Sequence, residues 1–203
     1  MADLSAWRAD LPPELELTRD NIVARKATNQ LSQLVALHVY WGLCRCDLNR
    51  IALYGIPEGL PEALLLASPP EWLQATQQEC FASASAVADM CTTVLTHDPD
   101  FESHDLILPT GFHECIRLQL WGLATLFPDG PARQQANAEA APRLQACLIL
   151  LRRTARHQPW VARRASALLR TLKERRWTHA TYVGQFFSCG MMLTLLTQGC
   201  SSE

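Results

Sequence analysis

The chain has 203 residues, 48% of them hydrophobic and 19% charged, with a formal net charge of −2. That is the composition of a soluble globular protein, long enough for one domain with a sizeable core. The longest apolar run, "QFFSCGMMLTLL" near the C-terminus, is about half the length of a membrane-spanning helix, so no membrane partner is expected; Asp3 and Asp10, with no apolar run between them, argue against an export signal.

Strand signals are almost absent, because no alternating β-branched runs occur and most Gly and Pro fall at helix edges. The first 17 residues, with Pro12 and Pro13, read as an irregular arm. A long helix is predicted from about 20 to 54, ended by Gly55 and Pro57. Ser68-Pro69-Pro70-Glu71 then opens the next helix, Ser68 as cap, Pro69 at the first helical position and Glu71 completing a capping box. That helix runs to about Thr96, and Ala82, Ser85, Ala86 and Asp89 mark small-residue faces for close helix approach. Thr110 caps a third helix, "GFHECIRLQLWGLATLF", stopped at Pro128-Asp129-Gly130. A fourth spans about 131 to 157, with Pro142 either kinking it or opening its main part. A fifth, roughly 160 to 175, and a sixth, about 178 to 197, complete an all-α, single-domain bundle of about six helices. Residues 1–17 form the arm of this organisation and 18–203 its domain.

The eight cysteines, at 44, 46, 80, 91, 115, 147, 189 and 200, form no C-x-x-C pair. Cys44 and Cys46 point about 200° apart on a helix and cannot share a metal. They read as reduced, small core residues, with zinc or a disulfide framework as the minor reading. Residues 143 to 176 hold ten Lys/Arg against the single acid Glu174. This basic stretch is either a solvated face balancing the acidic remainder or a surface for an acidic partner, with "LKERRW" a weak nuclear-import patch.

The chemistry-bearing residues gather in "LHVYWGLCRCDLNRIALYGIPE", residues 37 to 58. Its helix is apolar on nearly every side yet carries His38, Arg45, Asp47, Asn49 and Arg50, and charges are costly to bury on such a helix. His38, Gly42, Arg45 and Asn49 fall on one line. Asp47 and Arg50, spaced i, i+3, are close enough to pair. Two readings stand: a polar cavity, or a structural ion pair beside a satisfied core histidine. "GFHEC" has His113 and Glu114 like the start of a zinc-protease helix, but Arg117 takes the place of the second His, so no metal is expected. His97-Asp98 and His104-Asp105 read as chance loop composition. No nucleophile elbow, phosphate loop or dinucleotide fingerprint is present, so no catalytic residue and no cofactor is assigned.

On Tyr40, Trp41, Cys46, Asp47, Leu48, Arg50, Gly55, Pro57 and Glu58, the stretch resembles the regulatory middle homology region of fungal-specific transcription factors. There a central helix reads roughly H-x-x-Y-H-x-x-x-C-D-L-x-R, then P-G and an acidic residue; Trp41 stands where a histidine is usual. "EWLQATQQECFASASAVADM", with Gln78, Cys80, Ala84 and Val87, resembles the family's next helix, and "FHECIRLQLW" the one after. The likeness covers about 25 to 125. It implies the C-terminal half of such a regulatory domain, built around a long, largely buried helix with Asp47–Arg50 as a structural pair. The family's six-cysteine, two-zinc DNA-binding cluster has no counterpart here, so no direct sequence-specific DNA binding is expected of this chain.

The resemblance implies a transcription-regulator-like protein in the control of fungal metabolic genes. It would act through protein contacts or effector sensing, be nuclear rather than cytoplasmic, and be partnered by another transcription regulator or nuclear protein. His38, Tyr40, Trp41, Arg45 and His113 are the candidate ligand-binding residues for a small-molecule effector. The alternative is a small-molecule-binding protein or enzyme of fungal secondary metabolism, assisting proton transfer or cyclisation; it requires those side chains to converge on one cavity.

Overall fold

A computed structural model describes residues 2–156 and Arg163. Seven α-helices occur among these residues, and no strand: α1 (Ala2–Ala9), α2 (Arg19–Ala27), α3 (Leu31–Asn49), α4 (Glu62–Ala67), α5 (Pro70–His97), α6 (Leu108–Thr125) and α7 (Pro131–Ala155). The all-α bundle is as the sequence indicates. The fifth and sixth predicted helices, and most of the basic stretch, lie outside the described residues.

The N-terminal arm is more regular than Pro12 and Pro13 suggest. Residues 2–9 are helical, and the two prolines lead into a short 3₁₀ turn, Pro13–Leu15. Asn21 fixes that turn, its side-chain amide donating to the carbonyls of Pro13 (2.7 Å) and Glu16 (2.8 Å). The Thr18 hydroxyl caps α2 by accepting from the Asn21 amide at 3.3 Å.

The single helix predicted from 20 to 54 is two. Asn29 takes the left-handed conformation, φ 57. The Asn29 and Gln30 amides turn back onto the carbonyls of Lys26 (3.1 Å) and Arg25 (2.8 Å). This is a Schellman ending with Asn where Gly is commoner. The break lets α3 turn away from α2, and the central helix is not this one but α5, which packs on α2, α3, α6 and α7. α3 buries Leu34, Val35, Val39 and Cys46, together with His38 and Asn49. A 3₁₀ turn, Arg50–Ala52, follows it, and Leu53 is already extended, so the helix ends before Gly55, which takes φ 71 in the turn beyond instead of ending the helix as expected.

Two other helix starts differ from expectation. Ser68 does not cap α5: its hydroxyl donates backward to the Leu64 carbonyl at 2.8 Å, closing α4, and Pro69 precedes α5 with no side-chain cap. Thr110 lies inside α6, which begins at Leu108. The capping oxygen is Asp105 Oδ1, which accepts from the amides of Ile107 (2.7 Å) and Leu108 (2.9 Å). Pro142 sits exposed within an α7 that continues through it.

α3 packs on α5 and α6, and α7 packs on the same two helices from the other side. The core between them is built on Phe112, Leu108, Ile116, Leu123, Leu144, Leu150 and Leu151. The face of α5 turned to the core carries Cys80, Ser83, Ala84, Val87, Ala88 and Cys91. It is indeed rich in small residues, but Ala82, Ala86 and Asp89 are exposed and Ser85 only half-buried. Cys46, Cys80, Cys91, Cys115 and Cys147 are buried free thiols, and Cys44 is exposed. Cys115 donates to the Ala84 carbonyl at 3.0 Å and lies 3.8 Å from Cys147, and burial raises its thiol well above the ordinary range. The five buried thiols are packing groups of the core.

Candidate functional site

The five candidate ligand-binding residues are divided among three places. His38 is 2% exposed. Its Nε2 donates to the Leu15 carbonyl at 2.8 Å, which fixes the tautomer and pins the arm to α3. Burial lowers its pKa from 6.5, against the opposing pull of that hydrogen bond. The neutral ring is therefore the form the fold holds.

Trp41, one residue short of a helical turn further on, makes a second pin. Its Nε1 donates to the Leu4 carbonyl at 2.9 Å. The guanidinium of Arg45 lies 4.8 Å from the centre of the Trp41 ring and that of Arg8 5.9 Å, both within cation–π range. Arg45 is also ion-paired with Glu79 of α5. Asn49, the last residue of the polar line, donates to the Arg45 carbonyl at 2.7 Å. The polar line of α3 is thus filled by the chain's own groups.

Tyr40 points elsewhere. Its hydroxyl donates to Asp105 Oδ1 at 2.8 Å, and burial together with that carboxylate pushes its pKa up to about 12. It borders an open cleft of about 860 Å³ between α3 and the 98–105 loop, shared with Leu37 and Phe101. Two polar pairs already occupy the cleft wall, Ser32 with Ser103 at 2.5 Å and Lys26 with Asp98 at 2.6 Å.

His113 belongs to a charged cluster between α6 and the end of α3. Its Nδ1 lies 3.2 Å from Glu114 Oε1. Arg117 bonds Glu114 Oε2 through Nε (2.9 Å) and Nη2 (2.5 Å) and clasps both carboxylate oxygens of Glu58, at 3.0 and 3.2 Å. Arg50 reaches Glu114 at 3.8 Å and forms the predicted pair with Asp47 at 3.3 Å. That pair is partly exposed, not buried: Asp47 retains 55% of its side-chain exposure. Burial alone would raise the Glu114 carboxyl, but the His113 hydrogen bond and the Arg117 charge outweigh it and hold the pKa at about 2. The same partnership raises Arg117 against the effect of burial. The cluster fastens the 50–59 loop onto α6. Its geometry is structural, with every acid facing a base.

The sequence gives no sign of Glu79 or Asp105 as partners, because α5 and the loop before α6 meet α3 only in the folded chain. The Leu4 and Leu15 carbonyls are backbone groups and carry no side-chain signature at all. Glu58, Glu114 and Arg117 are visible in the sequence as residues, but not as a cluster.

Beside His38 and Trp41 lies a smaller cleft of about 350 Å³, between the arm, α3 and α5. Among the described residues, no group of three or more His, Cys, Asp or Glu side chains is placed to hold a metal ion, and no helix is long and apolar enough to cross a membrane. Compared with protein-family models, curated proteins and solved structures, the chain matches none.

The buried state of His38 has a measurable consequence. The unfolded chain takes up a proton on this ring near pH 6.5, and the folded chain resists it. The unfolded state then binds more protons, so stability is fully present above about 6.5 and declines as the pH falls below it. The charged groups that act on the ring are Arg8 of α1 and Glu16 of the arm, and Asp89 of α5 lines the same cleft. Urea midpoints measured from pH 8 to pH 5 should fall for the wild type. His38→Gln should be less stable at pH 8 and lose part of that slope.

Proposed function

We propose that the chain is a regulatory interaction domain of the fungal transcription-regulator type, acting in the nucleus through contacts with another regulator and not through catalysis. The observation that carries this reading is where its apolar surface lies. His38, Trp41, Arg45 and Asn49 of α3 bond the chain's own groups, while Leu48 (51% exposed), Ile51 (40%), Leu64 (55%), Leu66 (72%) and Trp72 (41%) face solvent within one segment, more than the four other exposed large apolar residues, Trp7, Val23, Leu106 and Ile107, together. The Leu60 amide bonds the Ile51 carbonyl at 2.8 Å, folding that segment back on itself. α4 buries only Leu65 and leaves the leucines on either side outside. Large apolar side chains concentrated in this way favour a protein contact.

The described part of the basic stretch supports that choice of surface by serving the fold instead. Arg143 pairs with Asp89 at 2.6 Å, Arg153 donates to the Pro99 carbonyl at 2.5 Å, and Arg156 lies 4.0 Å from Glu102. The resemblance on Tyr40, Cys46, Asp47 and Arg50 supplies the class of partner. The proton-transfer alternative is disfavoured because, among the described residues, His38 and Tyr40 border different clefts and His113 borders neither.

The test is affinity capture with the tagged full chain from nuclear and cytosolic extracts, beside a Leu64→Asp/Leu66→Asp double variant whose helicity is checked by circular dichroism. The expected result is a DNA-binding regulator recovered from the nuclear extract by the wild type and lost with the double variant. A chain that is confined to the cytosol, or whose regulator is retained by the folded double variant, overturns the reading.

A further inference from the structure

The 350 Å³ cleft beside His38 is a built space with two walls. One is the arm, held to α3 by the His38 and Trp41 hydrogen bonds to the carbonyls of Leu15 and Leu4. The other is the surface of α3 and α5. Its apolar lining is Leu17, Val87, Met90 and the Trp41 ring, and Arg8 and Glu16 bring opposite charges to the same cleft. Both charges lie within electrostatic reach of His38, yet among the described residues neither has an ion-pair partner. Asp89, the other acid of the lining, is already neutralised by Arg143. The volume falls at the small end of ligand pockets, which begin at about 300 Å³.

We propose that this cleft binds a small zwitterion with an apolar side chain, a hydrophobic α-amino acid being the simplest member of the class. The carboxylate pairs with the Arg8 guanidinium, for which it is the matched acceptor. The ammonium group pairs with Glu16, and the side chain lies against Leu17, Met90 and the Trp41 ring. A simple anion meets the acids of the cleft, and a simple cation meets Arg8; only a molecule carrying both charges satisfies both. Because Arg8 and Glu16 belong to the arm while Met90 belongs to α5, the ligand bridges the two walls. Binding fastens the arm, and the arm's docking reports the ligand's presence. The assignment is independent of the partner reading above, since it concerns the isolated chain.

The test is isothermal titration of the full chain with L-phenylalanine, 3-phenylpropanoate (no ammonium) and phenethylamine (no carboxylate). Limited trypsin cleavage after Arg8, with and without L-phenylalanine, reads the arm. Saturable binding of L-phenylalanine is expected, with each analogue weaker by about tenfold or more. Arg8→Gln should weaken L-phenylalanine by a similar factor while leaving phenethylamine unchanged or tighter, and Glu16→Gln should do the converse with 3-phenylpropanoate. Thermal unfolding confirms that both variants fold, and the ligand should slow cleavage of the arm. Absence of saturable binding at millimolar L-phenylalanine, equal binding of an analogue, or indifference to both substitutions overturns the proposal. The partner reading survives any of these.

Discussion

Glu114→Ala should lower the stability of the fold by about 3 kcal/mol, toward the low end of what breaking a desolvated ion pair costs. The magnitude follows from what is left behind. Arg117 is only 11% exposed and loses one of its two carboxylates, while His113 and Arg50 lose their shared acid. Arg117 keeps Glu58, which is why the loss stays moderate. The same carboxylate sets the acid sensitivity. Its pKa is about 2 in the folded chain against an ordinary 4.5, so the stability it contributes is present above 4.5 and disappears as the pH falls from there toward 2. Over that interval the linkage amounts to roughly 3 kcal/mol. Acid titrations followed by circular dichroism should show the wild type weakening across this range and Glu114→Gln weakening less steeply. Glu114→Leu with Arg117→Met, which removes both charges and keeps the bulk, should recover part of the loss, because no desolvated guanidinium remains. A wild-type and an E114Q chain with the same acid profile would show that the cluster is a solvated surface and not a clamp.

This cluster also shows how far the sequence carries. Asp47 and Arg50 could be paired from their i, i+3 spacing alone, and they do pair. That Arg50 also reaches Glu114, and that Arg117 clasps Glu58 across 59 positions, depends on the 50–59 loop folding over α6. No local rule specifies that fold-over. The same holds for Tyr40 and Asp105, 65 positions apart, and for Arg45 and Glu79, 34 apart. Local signals that were present could still be outvoted. Asn29 is a legitimate helix-ending residue, but the apolar period runs past it unbroken, and periodicity alone joins α2 to α3. At Ser68 the hydroxyl had two helices within reach and closes the earlier one. The legible features were those fixed by backbone chemistry at one position: the start of α5 beside Pro69 and Pro70, and the long α7 from Pro131.

Gly42 lies on the line that includes His38, Arg45 and Asn49, and it shows what that line is for. A side chain added there overlaps Val87 Cγ2 on α5. The approach is this close because α3 offers a glycine opposite Val87 and the buried face of α5 carries Ser83, Ala84 and Ala88 beside it, so the two backbones meet across a seam of small residues. The line is therefore a packing seam flanked by pins: His38 to the arm on one side, Arg45 to Glu79 on the other. Gly42→Ala sets two effects against each other. Helix propensity alone favours Ala by about 1 kcal/mol. Overpacking opposes it by about 1–3 kcal/mol or more, and Val87 is β-branched, with a χ1 that a helix holds nearly fixed, so its methyl cannot swing aside. The overlap should win, and the variant should unfold at lower urea than the wild type. Val87→Ala alone should also be destabilised, since it empties a fully packed site. Combined, the two should be less damaging than their sum by at least about 1 kcal/mol, because the new methyl occupies the space Val87 vacates. Additive losses would mean that α3 and α5 do not meet at Gly42. The seam would then have to be re-registered along α5, and with it the cleft that His38, Trp41 and Val87 share.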